Sequence, residues 1–383
     1  MKIGMKTLTK ENLYDYATGS AILGCGGGGS SESGINMIDK AFEKDYKFKL
    51  VDINEIDDEK ILCVLAGVGG GVSQEIKDKV APYTEKFKQT SETRLTRLSR
   101  SSEELSAYIG KEIFSYIAAE TGAGNGILPM YLNAREGKPS IDGDCCGRAK
   151  PEMGLSLTRV ANIPVTPLTM ISPFMETVII KNAVDDDRAE EITRAVAVAS
   201  GGNATVARCP APVRKFKKAI AVNQVALCIN IGQVIREAKL ANKSPESEFI
   251  KVSKATKLFE GKVKSFEMEG RGGFNWGNWY IDGTDSYKNH KMKIWFKNEF
   301  LIGWTDDLPK IMCPDLICVI ENSSFEGLSN FVENKTHNGK LVSVYGIKAI
   351  DQWRTPKGIE IFGPKHFGFN IEYKPFEKLV HGH

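Results

Sequence analysis

The hydrophobic and polar positions of the first 170 residues alternate between the periods of helices and strands. In "LTKENLYDYATGSAILG", residues 8–24, apolar residues recur at helical spacing behind Thr9, a residue type that caps helix N-termini. The unbroken apolar run "KILCVLAGVGGG" is typical of a strand buried on both faces. A helix is predicted from about Ser73, and "SEELSAYIGKEIFSYIAAE", residues 102–120, has the pattern of one amphipathic helix. This alternation predicts a layered α/β domain over residues 1–170.

The pattern changes after the proline-rich stretch "PVTPLTMISPFME", which marks a boundary near residue 170. The segments "DDDRAEEITRAVAVASGG" and "VRKFKKAIAVNQVALCINIGQVIREAKLA" have helical periodicity, and each predicts one helix within residues 186–240. Over residues 251–376, short stretches separated by Gly, Asn, Asp and Pro predict the strands of a β-barrel, with "IEIFGPKHFGF" among them. The predicted fold class is therefore α/β, with an N-terminal layered α/β domain, residues 1–170, and a C-terminal domain, residues 171–383, that contains helices and a β-barrel.

Composition and charge narrow the classes of protein without selecting one. The chain has 383 residues, of which 42% are hydrophobic and 26% charged, ordinary values for a globular protein. No apolar run approaches the roughly 20 residues of a membrane-spanning helix, and the first residues lack a signal-peptide core, so we expect a cytoplasmic protein without a membrane partner. The net charge of +3 is too small to indicate nucleic acid. We expect a small-molecule substrate and, on base rates, a homo-oligomer.

Two glycine tracts are the first candidates for ligand contact. Gly26, Gly27 and Gly28 lie between two predicted helices, where glycine adopts positive φ at low cost. Exposed amides at the start of the second helix would favour an anionic group, so these glycines are predicted to contact substrate, with close packing as the alternative. Neither a P-loop nor a dinucleotide fingerprint fits, because no GK[ST] follows and no strand precedes the tract. Gly70, in "AGVGGGVSQE" after a predicted strand, is a further substrate-binding candidate.

The densest group of polar side chains lies in "ETGAGNGILP" and "IDGDCCGRAKPEM". Asp142 and Asp144 flank a glycine, so on an extended backbone they face one side, where they can act as base and metal ligand or share a proton. Arg148 can hold a carboxylate or stabilise an oxyanion. Glu120 is a further candidate for catalysis or metal binding, and Asn125 for substrate contact. The alternative for this block is an N-cap and turn with a surface ion pair.

The remaining candidates are thiols, an arginine and a histidine. The eight cysteines are scattered without a CxxC pair, which indicates reduced thiols and gives no support for a zinc finger. Cys25 and Cys145 are alternative nucleophiles, since a thiolate is favoured near a helix N-terminus. Arg271, in "EGRGGFNWGNW", is predicted to lie in a turn or pocket rim in contact with substrate. His366, flanked by apolar residues, is predicted to be structural.

Several of these motifs together resemble the family of S-methyl thiohydantoin desulfurases, once catalogued as a domain of unknown function. The resemblance spans nearly the whole chain and is carried by "GSAILGCGGGG", "AAETGAGNG", "LNAREGKPSIDGDCCGRAKPEM" and the tail from "CPDLICVIE" to "IFGPKHFGFNIEYKPF". Some members of that family are fused to or neighbour hydantoinase/oxoprolinase-type proteins. The resemblance implies an α/β N-terminal domain, a C-terminal domain with a β-barrel, and hydrolytic attack on a sulfur-bearing imidazolone ring.

Two hypotheses of function follow. In the first, the protein is a hydrolase of a non-peptide C–N or C–S bond in a small cyclic amide or thiohydantoin-like ring. Water would be activated by Asp144, or by a metal bound to Asp142, Asp144 or Glu120, and would add to the ring carbon. The cofactor is left open, with a divalent metal such as zinc as one hypothesis. In the second, the pocket belongs to a non-catalytic module that binds a metabolite, or to a partner subunit of a hydantoinase-like enzyme.

Overall fold

A computed structural model describes residues 4–69, 72–88, 90–330 and 337–381. Its α-helices are, in chain order, α1 Lys10–Leu23, α2 Ser31–Glu43, α3 Gln74–Lys86, α4 Ser91–Ile109, α5 Ile127–Arg135, α6 Leu157–Val160, α7 Asp186–Ala199, α8 Val213–Phe216, α9 Gln224–Leu240, α10 Glu246–Ser253, α11 Pro356–Phe362 and α12 Phe376–His381. None of the helices in these ranges has the length and apolar content needed to cross a membrane.

The strands are, in the same order, β1 Lys6–Thr7, β2 Lys49–Val51, β3 Ile61–Gly69, β4 Ile113–Ala118, β5 Ser140–Ile141, β6 Gly143–Asp144, β7 Leu168–Ile171, β8 Thr177–Ile180, β9 Asn203–Pro212, β10 Ala221–Val222, β11 Thr256–Arg271, β12 Phe274–Gly283, β13 Lys291–Lys297, β14 Glu299–Thr305, β15 Leu308–Met312, β16 Leu316–Glu321, β17 Glu326–Gly327 and β18 Leu341–Ile347. They form sheets of three, seven and eight strands.

Side-chain caps determine where the first helices begin. The Thr9 hydroxyl accepts a hydrogen bond from the Asn12 amide, and the Asn12 side chain accepts one from the Thr9 amide, which completes a capping box at α1. Ser30 and Ser73 cap α2 and α3 through their hydroxyl groups. The helices predicted behind Thr9 and from about Ser73 are therefore confirmed.

The single helix predicted over residues 102–120 is wrong. α4 ends at Ile109, and the next residue, Gly110, has a φ of 65°, the left-handed conformation that glycine adopts readily at a helix C-terminus. The residues Ile113–Ala118 form β4, which pairs in parallel with β3. The β-branched and aromatic residues of this segment suit a central strand, and the pairing with β3 outweighs the helical spacing of the sequence.

The single long helix predicted from "VRKFKKAIAVNQVALCINIGQVIREAKLA" is also wrong. α8 ends at Phe216, and Ala221 then pairs with Asp144 as part of β10. α9 begins only after Asn223, which has a left-handed φ of 61°. Pairing with the edge of β6 therefore holds Ala221–Val222 as a strand, although their sequence would extend a helix in isolation.

The strand predicted from "IEIFGPKHFGF" is helical in the structure. Thr355 caps α11 through its hydroxyl group, and Pro356 occupies the first helical position. A 3₁₀ turn over Pro364–Phe367 follows. The cap and proline are helix-start signals that the apolar alternation of the segment concealed.

The seven-stranded sheet has the order β10-β6-β4-β3-β9-β7-β8. Its strands β3, β4 and β6 run parallel, so their carboxyl ends lie at one edge, where ligands usually bind in such sheets. β8, β9 and β10 of this sheet follow the predicted boundary at residue 170, and β7 spans it. The division into residues 1–170 and 171–383 therefore runs through one sheet, and it stays a prediction.

The eight-stranded sheet has the order β15-β14-β13-β12-β11-β18-β16-β17, with antiparallel neighbours. Apolar side chains of these strands, Trp279 and Phe296 among them, form a core of their own. No closed barrel is found among the described strands, so the β-barrel of the prediction is not confirmed. The mixed α/β fold with large sheets is confirmed.

Arg148 joins the loop after β6 to the eight-stranded sheet. Its side chain is buried and donates to the carbonyl oxygens of Phe300 at 2.6 Å and Asp315 at 2.7 Å. Its Nε donates to the Ala149 carbonyl at 3.0 Å. Because loss of the guanidinium leaves buried oxygens without donors, we infer that this residue contributes strongly to stability.

Replacing Arg148 with Met should lower the free energy of unfolding by about 3 kcal/mol, since each buried carbonyl oxygen left without a donor carries a desolvation penalty. Arg214→Met is the matched control, because Arg214 is half exposed and forms a surface ion pair with Glu59. That control should lose about 1 kcal/mol or less. Urea unfolding measures both, and equal small losses would contradict the role given to Arg148.

Candidate functional site

A cavity of about 290 Å³ lies at the carboxyl edge of the parallel strands. Its walls are formed by Gly28 and Gly29, by the end of β3, by the loop after β4 and by the segment 150–153. Side chains from α7 and β9 and the turn between β13 and β14 complete them. The chain segments near positions 28, 67, 120 and 150 therefore converge on one cavity. This convergence makes the cavity the candidate active site.

The glycine tract packs closely and also forms part of the cavity wall. A Cβ on Gly28, where φ is 80°, would lie 2.6 Å from the Gly122 Cα atom. A Cβ on Gly27 would lie 2.0 Å from Glu299 Oε1, and one on Gly26 would lie 2.8 Å from the Phe300 ring. Of the three glycines predicted to contact substrate, Gly28 lines the cavity, whereas Gly26 and Gly27 face other side chains. Gly70, the fourth, lies outside the described residues.

Glu120, a candidate for catalysis or metal binding, and Asn125, a candidate for substrate contact, both line the cavity. The Asn125 Nδ2 donates to Glu120 Oε1 at 2.7 Å, and the Lys150 amide donates to Oε2 at 3.0 Å. Burial raises the pKa of Glu120, while the charge of Lys150 and the hydrogen bond from Asn125 act in the opposite direction. The result is a buried carboxylate with a fixed orientation in a cavity.

Glu299 is a second carboxyl group in the same cavity, and sequence analysis missed it. Its side chain is buried, and Oε2 has no hydrogen-bond partner among the described residues. Burial, followed by the negative charge of Glu120, raises the pKa of Glu299 well above its usual value. A signal was present in the sequence, since Glu299 is the acidic residue in the otherwise apolar and basic stretch "IWFKNEFLIGW".

Basic side chains form another part of the cavity wall. The Lys150 Nζ donates to the carbonyl oxygens of Glu152 and Met153, each at 3.1 Å. The Arg208 side chain is 2% exposed, and its Nε has no partner within the described ranges. Arg194 forms an ion pair with Glu190 at 2.5 Å. The cavity therefore combines buried acids with fixed cations, an arrangement that can stabilise charge developing on a ligand.

The pairing of Asp142 with Asp144 as base and metal ligand stays a prediction. Between these two residues the chain passes from β5 in the three-stranded sheet to β6 in the seven-stranded sheet, and their side chains have separate hydrogen-bond partners. Asp144 accepts from the amides of Cys146 and Gly147 and from the Thr121 hydroxyl. Asp142 accepts from the amide of Ala226 near the start of α9.

Neither aspartate is among the residues that line the cavity. Their hydrogen bonds are those of a helix start and a turn, but no ion pair of either residue is found in the described part of the chain, and Asp144 is buried. Within the described part of the chain, no group of three or more His, Cys, Asp and Glu side chains is arranged to hold a metal ion. The separate positions of Asp142 and Asp144 do not fit a metal held by both, and the zinc hypothesis stays a prediction.

Arg148 and Cys25 lie behind the cavity wall and not in it. Burial opposes the ionisation of the Cys25 thiol, but its contact with Cys318 and the charge of Arg148 outweigh burial and lower its pKa to about 7. Cys145 is also buried, and burial raises the pKa of its thiol well above the usual value. The side chain of Arg271 lies outside the described residues.

His366 contacts the cavity wall, which its apolar sequence context did not indicate. Its Nε2 lies 2.7 Å from Glu152 Oε2, and Lys297 forms an ion pair with the same carboxylate. Burial opposes the ionised form, but these partners lower the pKa of Glu152 to about 2. Lys297 also lies 4.0 Å from the ring centre of Phe274. Glu152 is therefore an ionised, paired carboxylate, unlike Glu299.

Comparison with known proteins supports the assignment of the fold. The protein-family model described as "S-Me-THD-like, N-terminal domain" matches residues 11–182, and the family model described as "S-Me-THD-like, C-terminal domain" matches residues 184–376. The chain is similar to the X-ray crystal structure of a protein from Chromobacterium violaceum, with 17% identity, a TM-score of 0.77, and coverage of 97% of this chain and 100% of that chain. At this identity the likeness shows the fold alone. No curated protein matches the sequence.

The contact between Gly27 and Glu299 can be tested by substitution. Gly27→Ala should lower the free energy of unfolding by about 1–3 kcal/mol, as overpacking does, because the added Cβ displaces a buried carboxyl. Gly270→Ala is the control, since the described atom nearest to its Cβ is 3.9 Å away. Urea unfolding measures the losses.

The double variant Gly27→Ala/Glu299→Ala identifies the clashing group. The atoms nearest to a Cβ on Gly27 all belong to the Glu299 side chain. The double variant should therefore lose less stability than the sum of the single variants, by at least about 0.5 kcal/mol. Strict additivity would show that Glu299 does not restrict position 27.

Proposed function

The chain belongs to the S-Me-THD-like family, and we propose that it is a hydrolase that removes sulfur from a small thiohydantoin-like imidazolone ring. The observation that carries the proposal is the buried Glu120 carboxyl in a cavity of about 290 Å³. A cavity of this size suits a five-membered ring with short substituents, since known ligand pockets begin at about 300 Å³. The family match supports the chemistry, and the cavity supports the size of the substrate.

Glu120 is suited to activate a water molecule. Its raised pKa makes the carboxylate a stronger base than an exposed glutamate. The hydrogen bonds from Asn125 and from the Lys150 amide fix its orientation. A water molecule bound to this carboxylate would lie inside the cavity, next to a ring held there.

The cations of the cavity suit the charge that develops during the addition of water. Negative charge develops on the ring nitrogen as the water oxygen bonds to the carbon that bears sulfur, and on sulfur as the C–S bond breaks. Lys150 and Arg208 are buried, and Lys150 is held by two backbone carbonyl oxygens before substrate binds. A preorganised donor of this kind lowers a reaction barrier by about 3 kcal/mol.

The reaction balances with one water molecule for an S-alkyl thiohydantoin. The water oxygen bonds to the ring carbon that bears sulfur, and the C–S bond breaks. One water proton leaves on the thiol and the other is taken up by the ring nitrogen. The ring carbon becomes the carbonyl of a hydantoin.

Glu120→Gln should lower kcat for thiol release from S-methyl thiohydantoin by about 100-fold or more, because an amide cannot accept the water proton. Thiol-reactive dye and mass spectrometry of the ring product measure turnover, with zinc supplied and with a chelator in parallel. Glu59→Gln is the matched control, since Glu59 pairs with Arg214 on the surface. Binding of hydantoin should persist in Glu120→Gln.

The outcome also separates an enzyme from a binding module. An enzyme loses turnover on this substitution and retains binding, whereas a module that only binds a metabolite has no turnover to lose. Absence of thiol release and of ring opening with every thiohydantoin tested, zinc included, would contradict the proposal.

A further inference from the structure

Glu120 and Glu299 approach the same cavity from different sheets. Glu120 follows β4 of the seven-stranded sheet, and Glu299 begins β14 of the eight-stranded sheet. Both side chains are buried, with 8% and 3% of their surface exposed. Both line one cavity, and the negative charge of Glu120 disfavours the ionised form of Glu299.

We propose that Glu299 is a second catalytic carboxyl group, which holds the proton that Glu120 lacks, so that the two residues exchange protons with the substrate as an acid–base pair. The inference rests on the proposed function for its substrate. It assigns a chemical role to a residue that the sequence did not single out.

The hydrogen bonds decide which member of the pair is ionised. Both oxygens of Glu120 accept from donors, the Asn125 side chain and the Lys150 amide. Such donors stabilise a carboxylate. In the described structure Glu299 Oε2 is buried without a donor, which disfavours its ionised form and suits a protonated acid. The asymmetry therefore makes Glu120 the base and Glu299 the acid.

Charged groups around Glu299 are consistent with this assignment. Glu120 and Cys25 disfavour its ionised form, and the positive Arg148 favours it. Arg148 is already engaged by the carbonyl oxygens of Phe300 and Asp315. Burial and the facing carboxylate exceed this one favourable charge, so the pKa of Glu299 lies well above its usual value.

Gly27 fixes the position of the acid. A Cβ at that residue would lie 2.0 Å from Glu299 Oε1 and 2.6 Å from its Cδ, so the carboxyl group lies directly on the glycine backbone. The carboxyl group is thereby held between the glycine tract and the cavity. Such restraint is what a proton donor needs, since it must remain within hydrogen-bond reach of the reacting atom.

Over a full turnover, every proton that is transferred passes through Glu120 or Glu299. As water adds to the ring carbon, Glu120 takes one water proton and Glu299 gives its proton to the ring nitrogen. As the intermediate collapses, Glu299 regains a proton from the new hydroxyl group and the carbonyl forms. The C–S bond breaks with its electron pair on sulfur, and Glu120 returns its proton to the thiolate. Both residues end as they began.

Infrared difference spectroscopy of the full chain tests the protonation without any substrate. At neutral pH, Glu299→Gln should remove the carbonyl band of one protonated carboxyl group. Glu152→Gln is the matched control, since the pKa of Glu152 is about 2 and this residue contributes no such band. A Glu299→Gln spectrum without loss of the band would overturn the inference, whatever the activity.

Glu120→Gln provides a second test if Glu299→Gln does not fold. It leaves Glu299 in place and removes the facing negative charge, so the band of Glu299 should disappear at lower pH than in the wild type. An unchanged midpoint would overturn the pair.

Kinetics tests the catalytic role. Glu299→Gln should lower kcat for S-methyl thiohydantoin by about 100-fold or more. In the wild type, kcat/KM should fall at alkaline pH, since the acid must be protonated, and this fall should follow the infrared titration. Activity within about threefold of wild type would overturn the role, threefold being less than 1.4 kcal/mol. A wild type inactive on every thiohydantoin but with the band assigned to Glu299 would overturn the proposed function and not the shared proton.

Discussion

The structure depends on a close contact between two backbone loops that only glycine permits. A Cβ on Gly122 would lie 2.2 Å from the Gly28 oxygen, and one on Gly28 would lie 2.6 Å from the Gly122 Cα atom. The same Gly28 oxygen accepts hydrogen bonds from the amides of Gly124 and Asn125, at 3.1 and 2.9 Å. The loop after α1 is therefore joined to the loop after β4, and this contact places Glu120 and Asn125 beside the glycine tract. The glycines are needed because they let the two loops approach each other, and the cavity forms as a consequence of that approach.

The same tract also contacts the eight-stranded sheet. The Cys25 carbonyl accepts from the Phe300 amide at 2.8 Å, and the Gly26 carbonyl accepts from the Asn330 amide at 2.8 Å. Gly27 lies against Glu299. One short loop thus holds the seven-stranded sheet on one side and the eight-stranded sheet on the other. The cavity forms where these contacts meet, so its two carboxyl groups come from different sheets.

Local sequence patterns predicted what local physics determines. The capped helix behind Thr9 and the buried strand β3 depend on short segments whose residue types limit the backbone, and the glycines at 28 and 122 indicated a close approach without showing which loops meet. Glu299 and Arg208 were beyond such reasoning, because their place in the cavity depends on which strands pair and in which register. The surroundings of Asp142 and Asp144 were also beyond such reasoning, because the chain changes sheets between these residues and each side chain has hydrogen-bond partners of its own.

Burial and a raised pKa do not by themselves distinguish a catalytic carboxyl group from a structural one. Asp144 is as buried as Glu120, and burial raises the pKa of both. The difference lies in what their surroundings leave open. Asp144 is enclosed by the Cys146 and Gly147 amides and the Thr121 hydroxyl, so its hydrogen bonds stabilise a turn. Glu120 faces a cavity, opposite a carboxyl group whose second oxygen has no partner among the described residues. A polar atom that faces a cavity without a protein partner is available to bind a ligand. This criterion selects Glu120 and Glu299 over Asp142 and Asp144.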